Sequence, residues 1–354
     1  MISSSQAVPN YLKDYVHQYK SDPRGTALQW FRDAKFGMFI HYALASLLPH
    51  GKEDLQRMAG GTKQDLKALE RGVRDDRIQS LREQLLQQFT ATDFDADFIT
   101  DLALNAKMRY VNFTTKHIGG LYMFDTKVSR FTSLHSPAKR DFVAEIADAC
   151  DKKGLGLFLY VPPDTARTDD EFIEHNHIIL RELLTQYGQV AGIWFDGINA
   201  CYHNPELYER ISETFSLIRS LQPQCLISFK QGYEGSEDFV SPEHMMRPVG
   251  GEKGAEQWEK IFKYKPAEIN TTMQECRNRD GIGVYGGWIN DIRARHLNKD
   301  EVLNLLKNAR CHDANLNLNV GLESNGSVHP NDIHTLREVG KWLRENGWPE
   351  ESSS

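Results

Sequence analysis

An aspartate closes an entirely apolar run in the fragment GIWFDG, Gly192 to Gly197. Burial at the end of such a run penalises a charge. Asp196 is therefore either an acid that caps a helix or bonds a turn, or a carboxylate held rigid and partly dehydrated for chemistry. The second condition suits a nucleophile attacking an anomeric carbon. Retaining glycoside hydrolysis also needs a carboxyl group that protonates the departing oxygen and later deprotonates the incoming water. Glu243, in EDFVSPEH, is the candidate. Pro242 fixes its own φ and biases Ser241 toward extended backbone, giving a stiff loop from which a glutamate can project. An ordinary exposed loop acid is the competing account, and Glu268, Glu237 and Glu53 are rivals for the role.

His41 and His117 each follow an apolar run, where an imidazole can bond sugar hydroxyls without adding a fixed charge or can serve the fold alone. A metal is not expected at them, because no HExxH helix or dense His/Asp/Glu spacing is present. Lys230 and Gln231 follow another apolar run. Phe39, Tyr42, Tyr160, Trp194, Tyr285 and Trp288 fall near the same ends. An aromatic wall with a few polar groups is what the apolar face of a sugar requires, although each aromatic taken singly also fits core packing.

Positioning these groups together requires parallel strands. Short apolar runs alternate with helical stretches, the pattern of strands joined by crossover helices. The predicted strands are Phe36 to Ile40, Arg109 to Thr115, Leu155 to Val161, Val190 to Phe195, Cys225 to Phe229, Glu268 to Met273 and Ala314 to Val320, with an eighth expected near Gly283 to Ile289. Helices are predicted over Asp95 to Ala106, Lys139 to Lys152, Asp169 to Tyr187, Pro205 to Leu221 and Asp332 to Leu343. Eight such units make an α/β (β/α)8 TIM-like barrel, whose functional side chains gather at the carboxyl ends of the strands. The expected division is an N-terminal extension over residues 1–25, a catalytic barrel over 26–347 with a charged helical insertion at about 62–88, and a tail over 348–354. The insertion reads equally as a solvated surface helix pair or as a lid.

A chain of 354 residues with 40% hydrophobic side chains can bury a large core. Its net charge of -7 and pI near 6.0 leave no basic footprint for nucleic acid and suit a small, neutral or weakly polar substrate better. Five cysteines without a CxxC pair are expected to be buried free thiols. No run approaches the roughly 18 apolar residues of a membrane span, and the N-terminus lacks a signal-peptide pattern. The expected location is cytoplasmic, or periplasmic or secreted if a leader was removed before the numbering begins. A homo-oligomer is compatible with all of this.

With these residues placed, the sequence resembles the α-L-fucosidases of glycoside hydrolase family 29. The matching segments include WFRDAKFGMFIHYALASLLP, FDADFITDLALNAKMRYVNFTTKH, KRDFVAEIADACDKKGLGLFLY, IWFDG, EDFVSPE and the closing LNLNVGLESNGSVHPNDIHTLREVGKWLRENG. They run in order from about Trp30 to Gly347. The resemblance implies a retaining exo-glycosidase that releases terminal α-L-fucose through a covalent glycosyl-enzyme intermediate, without metal or organic cofactor. It implies Asp196 as nucleophile and Glu243 as acid/base, with Glu268 as the alternative. His41, His117, Tyr160 and Trp194 would contact the sugar, and Trp288 would belong to the aromatic wall. Lys230 stands roughly where many members carry an arginine, and Glu53 where many have an EWY-like segment. The family's HHDG becomes HIGG, placing Ile118 and Gly119 where a histidine and an aspartate are usual. The β-sandwich that often follows the barrel has no counterpart in this sequence. These departures bear on which sugar is taken, so a related α-glycoside such as an α-L-galactoside, or a catalytically impaired sugar-binding barrel, are the alternatives. A metal-dependent sugar isomerase on the same fold is a remoter one.

Overall fold

The computed structural model describes residues 7–162, 169–197, 205–229, 236–244, 264–275 and 287–349. Eight parallel strands close on one another in sequence order. They are β1 (Phe36–His41), β2 (Tyr110–Thr114), β3 (Gly156–Val161), β4 (Gly192–Phe195), β5 (Leu226–Phe229), β6 (Phe239–Val240), β7 (Ala267–Thr272) and β8 (Ala314–Gly321). The ring is completed where β1 pairs β8 from Phe36↔Leu316 to His41↔Gly321. The fold is therefore the predicted (β/α)8 barrel.

Alternation along the strands sorts side chains into two layers, since successive residues point to opposite faces. Met38, Ile40, Val111, Phe113, Leu157 and Leu159 belong to the large apolar layer beneath the helices. Phe39, Tyr110, Phe158, Tyr160 and Trp194 belong to a second cluster that fills the barrel. Glycine is needed where the filling is tightest. A Cβ on Gly192 would lie 2.4 Å from the Phe158 ring, and one on Gly156 would lie 2.3 Å from Trp30.

The barrel floor is made by the N-terminal segment. Helices α1 (Val16–Ser21) and α2 (Pro23–Ala34) precede β1, and α2 starts with Pro23 at its first position after Asp22 accepts from the Gly25 N–H at 2.9 Å. Trp30 of α2 stacks on Phe158 at 6.3 Å, and Phe31 meets Phe239 at 4.3 Å. Tyr11, Leu12 and Tyr19 are buried in the same cluster. The boundary expected at residue 25 thus falls inside a helix, and the residues before it pack into the barrel.

Between β1 and β2 lie three short helices, α3 (Lys52–Ala59), α4 (Lys63–Glu70) and α5 (Asp76–Leu86). Thr62 and Asp65 form a capping box that starts α4, and Asp75 caps α5. The crossover helices follow: α6 (Ala96–Asn105), α7 (Phe142–Lys153), α8 (Asp169–Gln186), α9 (Pro205–Leu221), α10 (Lys299–Cys311) and α11 (Pro330–Asn346). Asp95 and Asp141 cap α6 and α7 through the N–H groups of Phe98 and Ala144, and Gly154 ends α7 at φ 68°.

The eighth strand was expected near Gly283 to Ile289, and this is corrected. It is β6, two residues long, paired as Ser228↔Phe239 and Phe229↔Val240 on one side and Val240↔Ala267 on the other. Two residues are too short for periodicity to reveal, and two acids, Glu237 and Asp238, precede them. Of the expected segment, Gly287, Trp288 and Ile289 lie in turn and bend backbone. The β6 stretch is anchored by Asp238, whose carboxylate meets Arg24 at 2.5 Å and accepts from the Ile227 N–H at 2.8 Å. Cys150 and Cys225 are buried free thiols, whereas Cys311 is exposed, contrary to expectation. No helix among the described residues is long and apolar enough to cross a membrane.

Candidate active site

The carboxyl ends of the strands surround a cavity of about 260 Å³. β1 supplies Phe39 and His41, the loop after β2 supplies His117 and Ile118, and β3 supplies Tyr160. β4 gives Trp194 and, one residue beyond its end, Asp196. Glu243 enters from the loop after β6, Asn270 from β7 and Trp288 from the segment before α10. Of the residues singled out in the sequence, Asp196, Glu243, His41, His117, Tyr160, Trp194 and Trp288 come together here.

Asp196 is partly exposed at the edge of a buried strand, and its Oδ2 accepts from the Tyr160 hydroxyl at 2.6 Å. Tyr160 itself stacks on Trp194 with ring centroids 5.6 Å apart. Burial, then the charge and hydrogen bond of Asp196, then the charge of Glu243, hold the Tyr160 pKa well above the ordinary phenol value. The phenol is therefore a permanent donor to Asp196. Gly197, at φ 75°, turns the chain away directly after the aspartate.

His41 is oriented by Asn319. The Asn319 amide nitrogen donates to the carbonyls of Gly287 and Trp288, which turns its Oδ1 toward His41 Nδ1 at 2.6 Å. Nδ1 therefore carries the proton, and in the neutral ring Nε2 is an acceptor. His117 meets His41 edge to face at 4.8 Å, and Trp288 lies 5.2 Å from His41.

Glu268 is elsewhere. It is fully buried and does not line the cavity. Its carboxylate accepts from Tyr110 Oη at 2.7 Å, Ser241 Oγ at 2.7 Å, Trp194 Nε1 at 2.9 Å and Asn317 Nδ2 at 3.2 Å. Burial raises its pKa despite these four donors, which pull the other way. This arrangement fixes Trp194 and Ser241 from below the site. Glu53 lies exposed on α3 beside Lys52 and is absent from the cavity wall. Glu237 and Asp238 are buried, Asp238 serving the anchor described above. Lys230, Gln231 and Tyr285 lie outside the described residues.

A wider groove of about 460 Å³ adjoins the cavity and shares His117, Ile118, Tyr160 and Asp196 with it. Its far wall is the α4 to α5 connection from Glu70 to Arg74, together with Arg82 of α5. The helical insertion therefore borders the approach to Asp196. Arg82 is held by the Gly119 carbonyl at 2.7 Å and lies over the Phe131 ring at 4.4 Å. Among the described residues, the side chains grouped closely enough to hold a metal ion are His296, His329 and Asp332. The two histidine rings stack at 3.9 Å with planes 15° apart, so their in-plane lone pairs do not converge, and none of the three lines the cavity.

Two site residues escaped sequence reasoning. Asn270 and Asn319 lie in strands whose polar residues recur at every second position, Glu268 and Asn270 in EINTT and Asn315, Asn317 and Asn319 in ANLNLNV. Asparagine and glutamate repeated at period two in an otherwise buried strand mark the face that looks into a barrel.

The closed parallel barrel, with two carboxylates and an aromatic wall at its carboxyl end, defines a (β/α)8 protein of the glycoside-hydrolase kind. The chain belongs to the α-L-fucosidase family, whose sequence profile matches residues 2–348. It is 26% identical over 278 residues to α-L-fucosidase 1 of Arabidopsis thaliana, covering 72% of this chain and 52% of that protein. It is 25% identical over 337 residues to tissue α-L-fucosidase of Rattus norvegicus, covering 90% of this chain and 68% of the other. The chain thus spans about half the length of the Arabidopsis relative. Among solved structures, α-L-fucosidase isoenzyme 1 from Paenibacillus thiaminolyticus superposes with a TM-score of 0.68 at 24% identity, over 92% of this chain and 77% of that one. An α-L-fucosidase from Bacteroides thetaiotaomicron gives a TM-score of 0.70 at 22% identity over 91% and 75% of the respective chains. α-L-Fucosidase AlfC from Lactobacillus casei, in complex with α-L-fucose product, gives 0.67 at 23% over 90% and 98%. These likenesses are of fold.

Proposed function

We propose that this protein is a retaining exo-α-L-fucosidase in which Asp196 is the nucleophile and Glu243 the acid/base. The observation that carries the reading is the Tyr160–Asp196 hydrogen bond at 2.6 Å in a cavity of monosaccharide size that Glu243 also lines. Asp196 attacks the anomeric carbon while Glu243 gives its proton to the glycosidic oxygen, so the C–O bond to the leaving group breaks as the ester to Asp196 forms. Water then attacks the same carbon, Glu243 takes its proton back, and the ester bond to Asp196 breaks to release the sugar. Tyr160 aims the nucleophile through the hydrogen bond to its Oδ2. His41 and His117 offer bonds to ring hydroxyls, and Trp194, Phe39 and Trp288 provide apolar faces. The chemistry needs two carboxylates and no metal or organic cofactor.

Support comes from relatives. The Bacteroides thetaiotaomicron enzyme was trapped as a covalent intermediate with 2-fluoro-fucosyl fluoride, and the Lactobacillus casei enzyme holds α-L-fucose. Proton NMR during cleavage of an aryl α-L-fucoside tests the stereochemistry. The α-anomer of fucose is expected first, and a β-anomer appearing first overturns the double displacement.

A second reading, cleavage of a related α-glycoside such as an α-L-galactoside, is raised by the departure at Ile118, which stands in the cavity wall where the resemblance implies a histidine. A panel of nitrophenyl glycosides separates the two: turnover of the galactoside without the fucoside selects the second. Background rates on every glycoside, unchanged in Asp196→Asn, would instead indicate a binding barrel.

A further inference from the structure

We propose that Asn270 is the positioning residue for the Glu243 carboxyl, acting through the loop that carries it; this rests on the reading of Glu243 as acid/base. Glu243 has little regular structure behind it, because β6 ends at Val240 after two residues and shares a single register pair with β7. What holds the loop is the bridge Glu243↔Asn270. The Asn270 N–H donates to the Pro242 carbonyl at 3.1 Å, and its carbonyl accepts from the His244 N–H at 2.8 Å. Its side-chain Nδ2 donates to the Ser241 carbonyl at 2.7 Å and to the Pro242 carbonyl and Ser241 Oγ at 3.0 Å each. One residue therefore bonds to both neighbours of Glu243 and to the residue before them.

The loop needs such a hold. Pro242 has a locked φ on one side of Glu243, and His244 on the other adopts φ 65°, a left-handed conformation that a side chain bearing a Cβ disfavours. The His244 ring is fixed in turn, with Nδ1 3.1 Å from Thr271 Oγ1 and its centroid 5.6 Å from that of Trp288. Strained backbone at a functional site persists where its surroundings over-determine it. Here they are Asn270 and Thr271, successive residues of β7.

The amide is also asymmetric in a way that a packing role does not require. Asn270 is 1% exposed, its Nδ2 is fully engaged, and its Oδ1 has no hydrogen-bond partner among the described residues. Buried polar atoms are normally paired. Asn270 lines the cavity beside Glu243, so this one-sided amide, with its donors spent on the loop, stands in the wall of the site itself.

The test compares Asn270→Ala and Asn270→Ser with Glu243→Ala on two substrates, a fucosyl disaccharide with a poor leaving group and 2-chloro-4-nitrophenyl α-L-fucoside with a good one. General acid catalysis is worth about 10²- to 10⁴-fold, so a displaced acid should lower kcat/KM on the disaccharide by about 10- to 100-fold and on the aryl fucoside by less than about 3-fold. Azide, which needs no general base, should raise kcat on the aryl fucoside in Asn270→Ala as in Glu243→Ala, with release of fucosyl azide. Asn270→Ser, which keeps one donor, should fall between Asn270→Ala and wild type, and it carries the same comparison if the alanine variant does not fold. Equal loss on both substrates without azide rescue would mean a merely structural role and overturn the proposal, as would no loss on the disaccharide. If Glu243→Ala itself lacks leaving-group dependence and rescue, the acid/base reading fails first and the proposal falls with it.

Discussion

The Tyr160 hydroxyl donates to Asp196 Oδ2 across 2.6 Å, from the end of one barrel strand to the residue just beyond the next. The register Val161↔Phe195 places them there, so the pairing of β3 with β4 sets the aim of Asp196, the proposed nucleophile. Because burial and two nearby carboxylates keep the phenol protonated, this donor persists over the whole pH range in which such an enzyme works.

Tyr160→Phe removes the donor and leaves the ring on Trp194. A hydrogen bond to a charged group is worth about 1.5–3 kcal/mol, so kcat/KM should fall by about 10- to 150-fold without loss of fold. Steady-state kinetics on an aryl fucoside, with circular dichroism as the control for folding, makes the measurement. An unchanged kcat/KM would remove Tyr160 from the mechanism.

Glu268 makes a prediction about pH and stability. Its folded pKa is raised above the ordinary 4.5, chiefly by burial. For an acid so shifted, the unfolded state loses its proton first as pH rises. Wild-type stability attributable to this group is thus full below the ordinary value and declines as pH climbs through the raised one. Glu268→Gln has no such proton to lose. The difference in melting temperature, wild type minus variant, should shrink as pH increases from about 4.5 toward neutrality; a difference that grows contradicts the shift. Any loss of activity in this variant should be alike for good and poor leaving groups, since Glu268 is not in the cavity wall.

Asp238, next to β6, ties β5, α2 and α9 together through Ile227, Arg24 and Arg219. Its side chain is fully buried, while the two arginines are 44% and 26% exposed, so they can recover water when the acid is removed. Asp238→Ala should therefore destabilise the protein by about 2–3 kcal/mol, near the lower end expected for breaking a buried ion pair. Urea titration reads this directly. A change below about 0.5 kcal/mol would place β6 outside the stabilising network.

Much of this was legible in the sequence for a physical reason. A parallel strand buried on both faces must be apolar or nearly so, which is why GLFLYV and GIWF stood out, and the residue just past such a run must lie at the barrel mouth, which located His41 and Asp196. The two-residue β6 carries no period to detect. The boundary drawn at residue 25 fell inside α2 because the buried Tyr11, Leu12 and Tyr19 before it are set among polar and charged neighbours that carry no clear period. Glu268 rivalled Glu243 by sequence because the family resemblance implies that some members draw the acid/base from that region. Position in the strand separates them: Glu268 is the second residue of β7, below the mouth, and Asn270 two residues on reaches the cavity wall. That two-residue step, less than 7 Å of rise, divides a buried anchor from a site residue.

Reaction with 2-deoxy-2-fluoro-α-L-fucosyl fluoride followed by peptide mapping tests the central claim most directly. The fluoride leaves without help from an acid, and the 2-fluoro group slows hydrolysis of the intermediate, so the nucleophile stays esterified. The account predicts time-dependent inactivation with a single label on the peptide carrying Asp196, and no label in Asp196→Asn. A label on another carboxylate, or turnover of natural fucosides with Asp196 never modified, would contradict it.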